Sequence, residues 1–424
     1  MRRVCAGFKE AATSAAVTGS TGNATKLERS SAAMLRFYTT GESHGQALVA
    51  ILAGLPAGLG VDFEYVDREL KRRMGGYGRG GRMKIESDRA QFLSGVRHGE
   101  TIGSPVTILI ENHDWKNWSG AMAVEASAEA RAHYRALLQP RPGHADLAGC
   151  LKYNFHDARY VLERASARET AARVALGALA KLFLREFGIQ IASHVVRVGG
   201  VAVEPQAVAF DEILALRDRE DIILNCVDPE VEARMKQEVD QATGNRDSVG
   251  GVFEVIARGV PPGLGSTAQW DERLDGQIVQ AIVSIQAVKA AEIGSGVEIA
   301  GRFGSDVHDE IGYDQEQARF TRKSNRAGGI EGGMSNGEAI VVRGYLKPIS
   351  SLRRPLESVN FETREPVKAA YERSDVCVVP AAGVVGEAMV ALILARTFLE
   401  KFGGDSIGET QRNYRGYQEQ LRRF

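Results

Sequence analysis

Two histidines stand in loops that suit close contact with a ligand: Gly41-Glu42-Ser43-His44-Gly45 and Arg141-Pro142-Gly143-His144-Ala145-Asp146. Imidazole is the side chain that most easily gives or takes a proton near neutral pH. A glycine next to each ring lets the backbone take turns that bulkier residues avoid. Either histidine alone reads equally well as an ordinary loop residue. Together with the arginine-rich glycine loops elsewhere, the pair points to acid–base work on an anionic substrate.

The richest of those loops is Arg73-Met74-Gly75-Gly76-Tyr77-Gly78-Arg79-Gly80-Gly81-Arg82. It holds a formal G-x-G-x-x-G (Gly76, Gly78, Gly81). A dinucleotide fingerprint needs a strand before it and a helix after it. Here a helix precedes and a strand, Met83 to Glu86, follows, so a Rossmann reading fails. What remains is a loop where backbone can approach an anion and guanidinium forks can pair with phosphate or carboxylate oxygens; the plain alternative is a solvated basic loop. Arg164 and Arg168 are four apart on a predicted helix and share a face. Either an anion or carboxylate lies between them, or they pair with Glu163 and Glu169. Gly328 to Gly337 is a glycine loop without a Walker lysine, suited to folding over a planar cofactor or a phosphate. Lys347-Pro348-Ile349-Ser350-Ser351 offers one cation and two hydroxyls. Arg373-Ser374-Asp375 sets a guanidinium beside a carboxylate, and Asp375 reads as a general base, a ring orienter or half of a surface ion pair.

The elements that must hold these groups follow from apolar periodicity. Strands are predicted at 35–40, 46–53, 83–97, 104–111, 190–203, 250–259, 337–346 and 375–379, and helices at 62–74, 160–187, 271–293 and 384–402. The last three helices are apolar on most faces, so each needs cover on more than one side. Central helices covered by sheets is the layering this predicts, and the strand spacing does not fit regular βαβ units. Gly54-Leu55-Pro56-Ala57-Gly58-Leu59-Gly60 resembles Gly259-Val260-Pro261-Pro262-Gly263-Leu264-Gly265. Each follows a strand and precedes an acidic helix opening, as a duplicated half with pseudo-twofold symmetry would.

Composition narrows the class. The 424 residues carry a net charge of −1, with 44% hydrophobic and 25% charged residues, which is ordinary globular composition. Near-zero charge gives no broad field for nucleic acid or membrane. No run of about eighteen apolar residues occurs, so no transmembrane helix is expected. The four cysteines, Cys5, Cys150, Cys226 and Cys377, lie far apart, which argues against a metal site or redox pair and for a reducing, cytoplasmic setting. Residues 1–33 read as an N-terminal extension, a disordered tail or an early start, with an organelle transit peptide as the alternative. Residues 34–424 read as the functional domain.

From about Met34 to Phe402 the chain resembles the chorismate synthase family. The resemblance rests on GESHG, GGYGRGGR, RPGHAD, RASARET, GGMSNG, KPISS and RSD in one fixed order. It implies an α+β fold, a β-α-β sandwich with central helices between two antiparallel sheets, assembled as a homotetramer. It implies conversion of 5-enolpyruvylshikimate 3-phosphate to chorismate by 1,4-anti-elimination of phosphate, in the shikimate pathway of aromatic amino acid biosynthesis. The cofactor it implies is reduced FMN, with NADPH reducing the flavin in some members. His44 matches the histidine that protonates the departing phosphate, His144 the one that keeps the reduced ring suitably protonated, and Asp375 the carboxylate that works with the flavin in taking the C6 proton. Arg73, Arg79 and Arg141 match substrate- or NADP-facing positions. Flavin contacts match Arg164, Ala165, Ser166, Gln286, Ala287, Gly332, Lys347, Pro348, Ile349, Ser350, Ser351 and Arg373, and Ser351 stands where many relatives have threonine. A flavin reductase using the same loops, and a nucleic-acid module using the arginines, are the competing classes.

Overall fold

The computed structural model describes residues 35–80, 87–126, 134, 136–204, 208–219, 223–372 and 374–424. The N-terminal extension, Gly81 to Glu86 and Arg373 lie outside the described residues.

Strand β1 (Arg36–Thr40) pairs antiparallel with β2 (Ala47–Ala53). Leu48, Ala50 and Leu52 alternate to the buried face of β2, as a one-sided sheet requires. Helix α1 (Phe63–Met74) follows, with Asp62 capping it by accepting the Tyr65 amide at 2.8 Å. Then come β3 (Gln91–Ser94), a tight hairpin (Val96–Arg97 with Glu100–Thr101) and β4 (Val106–Glu111). The sheet order is β1-β2-β4-β3.

Three helices lead into the second half: α2 (Asp146–Tyr153), α3 (Arg159–Ala165) and α4 (Thr170–Arg185). Strand β5 (Gln190–Val198) comes next, then α5 (Pro229–Gly244), β6 (Gly251–Arg258), α6 (Leu274–Val283) and β7 (Val288–Ile293). A second tight hairpin (Ile330–Glu331 with Met334–Ser335), β8 (Ile340–Leu346) and the long α7 (Val379–Phe402) complete it, before α8 (Ile407–Arg423). The sheet order is β5-β6-β8-β7, with a short strand, Val201–Ala202, added beside β5.

The two halves therefore share one strand order, and the run of helix, strand, hairpin and strand repeats, with α5 inserted between β5 and β6 and α2 and α3 inserted before α4. The hydrogen bonds repeat as well. Thr101 Oγ1 donates to the Pro56 carbonyl at 2.6 Å and accepts from the Leu59 amide at 2.9 Å. Ser335 Oγ does the same to Pro261 and Leu264 at 2.6 and 2.9 Å. Gly58 and Gly263 each donate a backbone bond to that hairpin residue, both at 2.8 Å. The sequence echo is thus a repeated turn, anchored twice by a buried hydroxyl.

Helices α4 and α7 pack on each other between the sheets, α4 against β1, β2 and β4, and α7 against β5 and β6. Gly177 lets them touch: a Cβ there would sit 2.3 Å from Ala388 Cβ and 2.5 Å from Ala388 Cα. Gly177→Ala is expected to cost about 1–3 kcal/mol by overpacking. Urea unfolding checks this, and an unchanged midpoint would mean the helix pair separates freely. Helix α7 is long and apolar enough to cross a membrane by length and composition, against the reading of the bare sequence, but 94% of its apolar window is buried inside the protein.

Three predicted elements need correction. Residues 160–187 are not one helix. The chain breaks at Ser166 (φ −63°, ψ 141°), whose hydroxyl accepts from the Arg168 amide and so competes with the helical bond. The helix predicted over 271–293 stops at Val283, and Val288–Ile293 pairs with β8 instead. Tertiary pairing outweighs the helix formers Lys289, Ala290 and Ala291. Residues 375–379 are not a strand in either sheet; Val376 donates to the Gly78 carbonyl at 2.8 Å, which ties the segment to the glycine–arginine loop.

Candidate active site

The break at Ser166 opens the structure where it matters. Ser43 and Ser166 hydrogen bond at 3.0 Å, and both line a cleft of about 550 Å³. The N-terminal approach to α4, the His44 loop, the His144 loop, the turn after α6 and the segment before α7 all face into it. The volume suits a small-molecule site.

His44 and His144 line this same cleft, though 100 positions separate them in sequence. His44 Nδ1 meets the Glu163 carboxylate at 2.9 Å, and the His44 amide donates to the same carboxylate at 2.8 Å. Its ring stacks on Trp118 with centroids 4.0 Å apart. Burial pushes the Glu163 carboxyl up, but hydrogen bonds and charge from His44, with Arg159 nearby, leave it below the usual glutamate value. His44 Nδ1 is thus committed to Glu163. His144 is built the same way: Nδ1 lies 2.5 Å from Asp146 Oδ1, and Arg141 grips Asp146 through Nε at 2.8 Å and its own amide at 3.0 Å. Burial opposes ionisation of Asp146, yet the His144 and Arg141 hydrogen bonds hold its carboxyl far below the ordinary aspartate value.

Asp375 lines the same cleft. Its Oδ1 accepts from the Gly80 amide at 2.5 Å, and its Oδ2 lies 3.5 Å from Arg79 Nε. Asp375, Ser166 and Gln286 also line an adjoining chamber of about 160 Å³ that contains Arg73 and Arg79. Arg73 binds Asp88 at 3.1 Å. Burial, with Arg168 and Arg79 nearby, lowers its guanidinium to about 10 despite Asp88.

Ala165, Ser166, Gln286, Ala287, Lys347, Ile349, Ser350 and Ser351 all line the cleft. Ala287 holds φ 68°, a left-handed conformation rare for a residue with a Cβ, and its carbonyl accepts from the Lys347 amide at 3.0 Å. Three other matched positions lie elsewhere. Arg164 binds the carbonyls of Thr39 at 2.6 Å and Gly41 at 3.2 Å, so it clamps the His44 loop rather than facing the cleft. Pro348 faces a different groove, beside Arg197 and Val252. Gly332 sits in the second hairpin, outside the cleft. Arg373 falls outside the described residues. Nor do Arg164 and Arg168 share an anion: the break between them turns Arg168 to Asp88 at 2.7 Å.

The family profile of chorismate synthase matches residues 35–399. The chain belongs to the chorismate synthase family. A protein from Acidobacterium capsulatum named chorismate synthase is 63% identical over 396 residues, covering 92% of this chain and all of its own. One from Solibacter usitatus with the same name is 63% identical over 391 residues, with the same coverage. A solved structure described as the crystal structure of chorismate synthase superposes with a TM-score of 0.73 at 42% identity, covering 92% of this chain and 99% of that one. The activity is accordingly that of a chorismate synthase, a lyase of the shikimate pathway.

Glu163 and Trp118 hold His44, and Asp88 holds Arg73; none of the three is among the site residues read from sequence. Glu163 was visible only as a helical neighbour of the arginines. Nothing local marks it as the partner of a histidine 119 positions away.

Proposed function

We infer that the cleft eliminates phosphate from 5-enolpyruvylshikimate 3-phosphate with reduced FMN bound, His44, His144 and Asp375 serving the proton transfers. The convergence of both histidines and Asp375 on one cleft is the observation that carries this reading.

Two orphaned atoms fit a flavin and an anion. Among the described residues, Gln286 Oε1 and Arg73 Nε are buried without a hydrogen-bond partner, although Gln286 Nε2 donates to Glu169 at 2.8 Å. Such atoms are costly unless a ligand completes them. Gln286, Ala287, Ser166 and Ile349 to Ser351 would hold the ring system. When bound, the reduced flavin supplies electron density to the carbon that loses phosphate. The protein's own part is proton handling and exclusion of water. His44, fixed by Glu163 and Trp118, presents Nε2 as acid to the departing phosphate. Asp146 and Glu163 stay ionised at neutral pH and so hold both imidazoles in one orientation. Asp375, steadied by the Gly80 amide, receives the C6 proton. Arg73, Arg79, Arg141 and Lys347 give the substrate's phosphate and two carboxylates a positive surround.

The homotetramer and a cytoplasmic location belong to this reading. Cys150, Cys226 and Cys377 support a reducing compartment, being buried and free of disulfides among the described residues. Burial pushes the thiols of Cys226 and Cys377 up to about 11.

The test is anaerobic. Chemically reduced FMN plus 5-enolpyruvylshikimate 3-phosphate should yield chorismate, followed by absorbance, with no NADPH oxidised. A flavin reductase would instead consume NADPH mole for mole with product. Repeating the assay with oxidised FMN and NADPH tests whether the protein reduces its own flavin.

A further inference from the structure

A second cavity, of about 730 Å³, lies between α1, the C-terminal end of α4, the start of β5 and residues 214–219. It shares no lining residue with the cleft or its adjoining chamber. Arg72 and Arg73 are adjacent yet face different spaces, Arg72 this cavity and Arg73 the catalytic chamber.

The charge of the cavity is lopsided. Its lining holds seven Lys and Arg side chains against two carboxylates. The inner layer is a buried ion cluster: Glu387 receives Arg72 at 2.7 Å, Lys181 at 2.5 Å and Arg217 at 2.8 Å. Glu69 receives Lys181 at 2.5 Å and Arg72 at 2.9 Å. Glu69 and Glu387 are consumed by these contacts. The second lining carboxylate is Asp218; Lys71 and Arg185, both exposed, add positive charge that neither Glu69 nor Glu387 reaches, the Arg185 guanidinium lying 3.9 Å from the centre of the Tyr65 ring. Ile189, Ile191 and Leu214 supply apolar wall.

Two polar atoms here await a partner. Tyr65 is 95% buried and lines the cavity, and its hydroxyl makes no hydrogen bond among the described residues. Arg217 Nε is likewise buried without a partner. A fold that satisfies nearly all its buried polar groups leaves such atoms open where a ligand or water completes them. Guanidinium groups, an ammonium and a phenol facing one pocket recognise phosphate oxygens, and the apolar wall suits an organic body.

We propose that this cavity is a second ligand site, distinct from the catalytic cleft, that binds a small organic phosphate of nucleotide size.

The test is calorimetric titration of the full-length protein with AMP, ATP and inorganic pyrophosphate, and with uncharged adenosine as control. At least one of the phosphates should bind saturably with Kd below about 1 mM, while adenosine does not. The double variant Lys71→Ala/Arg185→Ala should weaken that binding about tenfold or more. Tyr65→Phe, which removes only the hydroxyl, should weaken it severalfold with the fold intact. Binding should persist when oxidised FMN and 5-enolpyruvylshikimate 3-phosphate, a pair that does not turn over, saturate the cleft. Absence of saturable binding by all three phosphates up to about 10 mM overturns the proposal, as does equal affinity in the double variant. Displacement by substrate would place the anion in the catalytic cleft and also overturns it. So does a double variant that binds unchanged but sediments differently, since the cavity would then be a contact between copies. Failure of any of these leaves chorismate formation, measured separately, unaffected.

Discussion

His44→Ala is expected to lower kcat for chorismate formation about 10²–10⁴-fold, the usual worth of a positioned general acid. The ring stacks on Trp118 and is pinned by Glu163, so its loss removes the proton donor while Arg164 still holds the loop through Thr39 and Gly41. The unfolding midpoint should change little. His144→Ala should also lose most turnover, because the ring that Asp146 orients is then gone from the cleft. Both variants are assayed with chemically reduced FMN, which separates proton handling from flavin reduction. Full activity in both would remove the histidine mechanism.

Glu387→Ala is expected to destabilise the fold by about 3–5 kcal/mol, the cost of stranding buried charge. The carboxylate is fully buried and serves Arg72, Lys181, Arg217 and Ser193 together. Removing it leaves three cations facing Glu69 alone. The pH dependence has a definite sign. Burial raises the Glu69 carboxyl, but Arg72 and Lys181 outweigh it and bring it down from 4.5 to about 2. Glu387 is held well below its ordinary value by the same cations and Arg217. A carboxylate lowered by folding contributes stability that is fully present above its unfolded pKa, near 4.5, and is lost as pH falls through the folded value. Urea unfolding from pH 7 toward pH 2 should therefore show a steep loss below about pH 4.5. Glu387→Ala should start lower and fall less. An unchanged acid limb in that variant would mean the cluster does not set acid stability.

Much of the layering could be read from sequence because α4 and α7 carry apolar residues on most faces, and such helices have to be covered twice; α6, expected to behave likewise, buries only the face of Leu274, Ile278, Ala281 and Ile282. The repeated turn could be read because Gly54, Gly58, Gly259 and Gly263 all take positive φ, which little besides glycine tolerates. What escaped was set by partners distant in the chain. Ser166 reads as a helix residue until its hydroxyl is seen bonded to the Arg168 amide and its neighbour Ser43. Val288–Ile293 has helical composition and becomes a strand only because β8 lies beside it. In the site, motif residues marked the lining of the cleft, but not direction: Arg164 shares its motif with Ser166 and points to the loop carbonyls. The carboxylates that orient the rings differ in the same way. Asp146 lies two residues from its histidine and is visible in the motif, whereas Glu163 lies on another element.

The mutual burial of α4 and α7 bears on how the chain is made. On the ribosome α4 emerges early, together with the sheet that covers one of its sides. Its other side has no permanent shelter until Val379–Phe402 has been synthesised, near the end of translation. Nascent chains that stall between the two helices carry an exposed greasy rod and are the species most in need of a chaperone.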